Sequence, residues 1–218
     1  MEQTEIIDLW KSYGKKLDEN LSLNRQNAAD ITRIKVRSLL SSMVPLKIFT
    51  ILVGIVWVGF IDVLVINLLP VANPFFLISA VIQSLLTTIA IGIYLYQVIL
   101  IHQADISEPI VEAQGKLARL RSTTIWIARL LFLQLPVWTT FYWNKTMLEN
   151  GNVALYILQL VITMSFTFLA IWLFKNIKYE NRNKKWFGLI FSGKEWNPVI
   201  KSIELLDQVK EYRNEDKM

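Results

Sequence analysis

The side chains able to do chemistry in this 218-residue chain are few, and the most suggestive of them sit in apolar surroundings. Asp62 is the one ionisable residue of a stretch running from Ile48 to Leu69, and Asn67 follows five positions later. Gln83 and Gln97 stand in a second stretch, Phe75 to Ile101, that carries no charge at all. Arg129 and Gln134 lie in a third, and Gln159 lies in a fourth. A charge held at the centre of a membrane helix costs at least about 2.5 to 3.5 kcal/mol, so each such residue is a functional candidate by default. Asp62 with Asn67 could bind a proton or a cation, or Asp62 could be a polar staple accepting a hydrogen bond from a Gln or Trp of a neighbouring helix. The glutamines, facing one another, could line a hydrated path; amide hydrogen bonds between helices give the same pattern. Arg129 lies about two turns inside the end of its stretch, where a long side chain can reach the headgroups. Helix rise places Asp62 and Arg129 at different depths, which argues against a direct ion pair.

The remaining composition removes whole classes of function. Without cysteine there is no disulfide framework, thiolate nucleophile or cysteine-based zinc site, and a single histidine, His102, cannot build a multi-histidine metal centre. No glycine-rich phosphate loop, nucleophile elbow, His-Glu metal motif or pair of intramembrane aspartates is present. The expectation is a protein without catalytic residues and without a cofactor. The net charge of +5 is modest, and it fits charges that orient membrane spans better than a surface for nucleic acid.

The elements that must position these residues are read from blocks of hydrophobicity, which lift the hydrophobic share to 53%. The first two stretches fold back on each other at Pro70-Val-Ala-Asn-Pro74, and each exceeds the roughly 20 residues that cross a bilayer core. Two further spans, about 124–143 and 153–174, are joined by a polar turn, with Pro136 expected to kink the third. The expected fold is all-α: a four-helix transmembrane bundle of two hairpins, spans about 48–69, 75–101, 124–143 and 153–174. It divides into a cytoplasmic arm over 1–43, a membrane region over 44–176 and a basic tail over 177–218. Lys and Arg are sparse in the two short turns and frequent in the arm, the middle loop and the tail. The positive-inside rule therefore puts both termini in the cytoplasm.

Outside the spans, the spacing predicts amphipathic helices. Ile6, Leu9, Trp10, Tyr13 and Leu17 recur at helical intervals, and a second helix is expected from an Asn24 cap through Ala28, Ile31, Ile34 and Leu39. Leu9, Trp10, Tyr13 and Leu17 form a candidate partner surface. Residues 103–121 predict another helix, with Ile106, Ile110, Ala113, Leu117 and Leu120 in a coiled-coil-like seam. In the tail, Lys184, Lys185, Trp186, Phe187 and Phe191 combine basic and aromatic residues. That patch suits either an anionic membrane surface or packing against other helices. Asn197-Pro198 opens a last helix carrying Val199, Ile203, Leu206 and Val209.

Leu9-Trp10-Lys11-Ser12-Tyr13, Lys16-Leu17-Asp18-Glu19-Asn20-Leu21, Leu23-Asn24 and the third-span run Leu133-Gln134-Leu135-Pro136-x-Trp138-Thr139-Thr140-Phe141-Tyr142-Trp143 resemble uncharacterised four-span inner-membrane proteins of the Bacteroidota. The resemblance implies topology and a bacterial inner membrane, and it implies no activity. The expected role is a membrane-anchored interaction or regulatory module whose partners are the bilayer and either a cytoplasmic protein or a second copy. The alternative is a small oligomeric channel or transporter, with Asp62 and the span glutamines along its path.

Overall fold

The computed structural model describes residues 2–103, 110–143, 152–193 and 196–205, and all regular structure among them is helical. The helices are α1 (Glu2–Ser41), α2 (Val44–Leu68), α3 (Pro74–His102), α4 (Ile110–Leu133), α5 (Leu135–Thr140), α6 (Val153–Asn176), α7 (Lys185–Phe191) and α8 over 197–205, with a 3₁₀ turn at Tyr179–Asn181 before α7. Three helical segments are long and apolar enough to cross a membrane: the one ending at Leu68, α3, and α6.

Local signals set the ends of these helices. Asn73 caps α3 by accepting the Phe75 N–H, with Pro74 in the first turn, where its missing N–H is harmless. Asn152 caps α6 in the same way through the Ala154 N–H. Pro136 interrupts the third hydrophobic stretch as expected: α4 stops at Leu133, Gln134 forms a turn, and α5 resumes with the proline in its first turn.

Packing follows chain order. α2 and α3 form an antiparallel hairpin, α3 packs its other side on α4 and α5, and α6 packs on α4 and α5. α2 and α6, the first and last of the four, share no substantial interface, so the helices form a row with these two at its ends. Within the α2–α3 hairpin, Gly54 lies close against Ile91: a Cβ there would stand 3.0 Å from Ile91 Cγ1. The outward sides of α2 and α6 remain apolar and exposed, as lipid-facing surfaces must be.

Two apolar clusters gather at the end of the row where α1 joins it. One holds Val36, Leu40 and Met43 together with Ile101, Leu117, Leu120, Val199 and Ile203. The other brings Ile51, Tyr94, Ile127 and Leu173 against Phe187, Phe191 and Trp196 of the tail. The tail thus folds back to cover the ends of α3, α4 and α6.

Two expected boundaries differ. The arm is one helix, not two: Asn24 lies inside α1, and the helix runs unbroken from Glu2 to Ser41. A lone polar side chain can cap a helix only where the backbone leaves αR, and the surrounding Ala, Leu and Arg residues give it no reason to leave. Likewise the middle helix and the start of the third span merge into α4, because Ser122-Thr123-Thr124 contains neither Gly nor Pro to stop it. Ile106 of the expected seam lies outside the described residues, and Leu117 and Leu120 are buried within the chain's own core.

Candidate functional site

The arm and the interior of the helix row offer different chemistry. On α1, the sequence-predicted partner surface is laid out on one exposed face: Leu9, Trp10, Tyr13 and Leu17 are 59%, 75%, 66% and 61% exposed. The root of the same helix is fixed, since Val36 and Leu40, with Met43 just beyond its end, are buried in the first cluster. At Met43 the backbone stays in αR, and Ser42 N–H donates to Ser38 O at 3.1 Å, so α1 leads into α2 with only a local irregularity before Pro45.

Inside the row, the polar side chains are matched across helix interfaces in separate groups. Lys47 of α2 is 1% exposed, and its Nζ donates to Gln97 Oε1 of α3 at 2.6 Å. Nζ also lies 4.8 Å from the centroid of the Tyr94 ring. Gln97 in turn donates through Nε2 to Thr123 Oγ1 at 3.1 Å and Thr124 Oγ1 at 3.4 Å of α4. One amide therefore ties three helices together. Farther along α3, Gln83 Nε2 donates to Gln134 Oε1 at 3.2 Å, and Gln134 Nε2 reaches Thr87 Oγ1 at 3.4 Å. Ser79 and Thr140 share a hydrogen bond of 2.8 Å near the opposite end. Gln159 donates to the Thr139 carbonyl at 2.7 Å, which joins α6 to α5 at the last turn before Thr140.

Asp62 and Asn67 are not brought together. Both are exposed on α2; Asp62 Oδ1 accepts from Ser84 Oγ at 2.7 Å, and Asn67 donates back to the Val63 carbonyl of its own helix. Arg129 is not paired with Asp62 either. Its Nε donates to the Ile177 carbonyl at 2.8 Å, at the end of α6, with Trp126 and Phe174 rings beside the guanidinium. A helix end leaves carbonyls that a guanidinium can satisfy, and Arg129 reaches one of them. Of the sequence-selected intramembrane residues, only Gln83 and Gln134 meet each other directly. Gln83 Oε1 and the Tyr156 hydroxyl are buried without a protein hydrogen-bond partner.

In the tail, α7 turns Phe187 and Phe191 inward, 2% and 3% exposed, with their rings stacked at 4.2 Å and Phe191 edge-on to Trp196. These two residues are withdrawn from any surface patch; Lys184 and Lys185 stay exposed and Trp186 is half-buried against Trp172. Aromatic side chains that can enter a neighbouring core release more water there than at a headgroup boundary.

Sequence reasoning missed Lys47, which it counted among the charges that set orientation. Its signal was available in the spacing: Lys47, Ile51, Gly54, Val58 and Ile61 fall on one helical face, the face that packs on α3. Among the described residues, no three His, Asp or Glu side chains gather as a metal site requires. Compared with known protein families, curated proteins and solved structures, the chain matches none.

Proposed function

We propose that this chain is a non-enzymatic, four-span protein of a bacterial inner membrane that uses α1 as a membrane-anchored interaction module. α2, α3, α4 with α5, and α6 are the four spans, and both termini face the cytoplasm. The third span is the kinked α4–α5 unit, whose apolar part carries only Arg129 between Thr123 and Thr140. The orientation rests on the distribution of Lys and Arg.

One observation carries the reading: a 40-residue helix is rooted in the row at Val36 and Leu40 and presents Leu9, Trp10, Tyr13 and Leu17 with none of the described residues of its own chain covering them. Isolated helices gain little stability from propensity alone, and Gly14 weakens this one further, so its apolar face gains most when another surface covers it. The intramembrane polar groups support a scaffold role, because they bond across helix interfaces in separate clusters.

The test is a photo-crosslinking amino acid placed at Tyr13 of the full-length protein in native membranes. An adduct with a polypeptide, whether this chain or another, that disappears in Trp10→Asp/Leu17→Asp supports the module. Adducts with lipid alone, or none, would overturn it.

A further inference from the structure

The exposed face of α1 has a periodicity that extends well beyond the four residues that first mark it. Ile6, Trp10, Tyr13, Leu17, Asn20, Asn24, Asn27, Ile31 and Ile34 follow one another at alternating steps of four and three residues. That is a heptad seam sustained for four repeats, with Trp10, Leu17, Asn24 and Ile31 at a and the others at d. All nine are exposed. Val36 and Leu40, which root α1 in the row, stand at f and c, on the opposite side of the helix. Near its C-terminal end α1 therefore spends the side opposite the seam on its own chain, while over 5–28 the described side chains are exposed all round and the seam is marked by its spacing.

From these observations we propose that the a/d seam of α1 is covered by the α1 of a second copy of this chain, parallel and in register. The inference rests on the interaction-module reading above and names its partner. Three features select a copy over an unrelated protein or the bilayer. First, an asparagine amide offers both a donor and an acceptor, so Asn20, Asn24 and Asn27 each satisfy their own counterpart when identical helices lie in register. Second, in a parallel pair each g position faces the e position five residues later in the partner. Asp30 at g, which also pairs with Arg33 of its own helix at 3.2 Å, then meets Lys35 at e with opposite charge. Third, α1 leads directly into a span, so copies in one membrane project their arms from the same side and at the same height. The outer side of the helix mixes signs, with Lys11, Lys15, Asp18, Glu19 and Arg33, whereas helices that lie on anionic membranes carry a strongly basic polar face.

The chain contains no cysteine, so single cysteines report self-contact without background. Leu17→Cys, Asn24→Cys, Asn27→Cys and Ile31→Cys, and as controls Lys15→Cys, Ser22→Cys and Ala29→Cys at f, would each be made in the full-length protein and oxidised in membrane vesicles. Leu17→Cys and Ile31→Cys keep all three asparagines, so a failure of the asparagine variants to assemble would not mask the result. The expected outcome is disulfide-linked dimers at a and d formed about tenfold faster than at f. Equal rates at all positions, or no dimers at any, would overturn the proposal. A Tyr13 photo-adduct with a different polypeptide, alongside absent a/d disulfides, overturns self-association and leaves the module standing. A photo-adduct with lipid alone overturns both.

Discussion

Lys47 Nζ of α2 donates to Gln97 Oε1 of α3 at 2.6 Å, with the two side chains 1% and 0% exposed. A lysine so placed must keep its acceptors, since a buried donor left unmatched loses its hydration without return. Gln97 also bonds α2 and α4 at once, which makes it a central polar tie of the row.

Gln97→Leu should therefore destabilise the protein by about 2 kcal/mol, the scale of a lost hydrogen bond to a charged group. Lys47→Met/Gln97→Leu should be less damaging than the sum of the two single changes, because the hydrogen bond between the two side chains is lost only once. Reversible unfolding in mixed micelles across the four proteins measures that coupling. Strict additivity would mean that the two residues do not act on each other.

A second prediction concerns the close approach of α2 and α3. Gly54 meets Ile91 at a distance where even a methyl must displace the Ile91 side chain. Gly54→Ala should be tolerated with a small loss, since the atoms it meets are the end of a flexible side chain. Gly54→Leu adds a bulk that the interface has no space for, at about 1 to 3 kcal/mol. The two variants would be compared by thermal aggregation in the same detergent; a leucine variant as stable as the parent would show that the hairpin packs elsewhere.

Asp62 separates a structural contact from a transport site. Its carboxylate accepts a hydrogen bond from Ser84, and Asn presents the same acceptor, so Asp62→Asn should leave stability within about 0.5 kcal/mol of the parent. Ser84→Ala removes the donor and leaves the carboxylate without it, at about 1 to 3 kcal/mol. Liposomes carrying the parent and Asp62→Asn should show the same ion flux. A flux in the parent that Asp62→Asn abolishes would establish the channel instead.

What could be read from the sequence was whatever a local signal decides. Pro70, Asn73 and Pro74 turn the first hairpin, Asn152 starts α6, and Pro136 breaks the third stretch, because each acts through its own backbone or an N–H two residues away. Val199 and Ile203 are buried on one side of the last helix, as their spacing predicts. What escaped depends on partners distant in the chain. Lys47 reads as one of the arm's orienting charges until Gln97, fifty residues on, is placed beside it. Phe187 and Phe191 suit a membrane surface equally well until Tyr94, Ile127 and Leu173 supply a pocket. Asn24 looks like the cap of a second helix when propensity is read residue by residue. It becomes part of a continuous seam once the steps of three and four are followed through it.

The asparagines make the last prediction. A polar residue at a or d lowers the stability of a coiled coil while fixing its register and the number of chains, because pairing it with an apolar residue leaves an amide unmatched. In a self-assembled α1, Asn24→Leu should tighten association, by roughly tenfold for each 1.4 kcal/mol gained. It should also loosen the selection of one assembly, so that purified full-length protein in detergent spreads over several masses where the parent gives one. Sedimentation at matched protein-to-detergent ratios reads both effects. Asn24→Asp, which keeps the size and replaces the amide by like charges facing each other, should weaken association instead. If neither substitution moves the distribution, the amides face water and α1 meets its partner on another side.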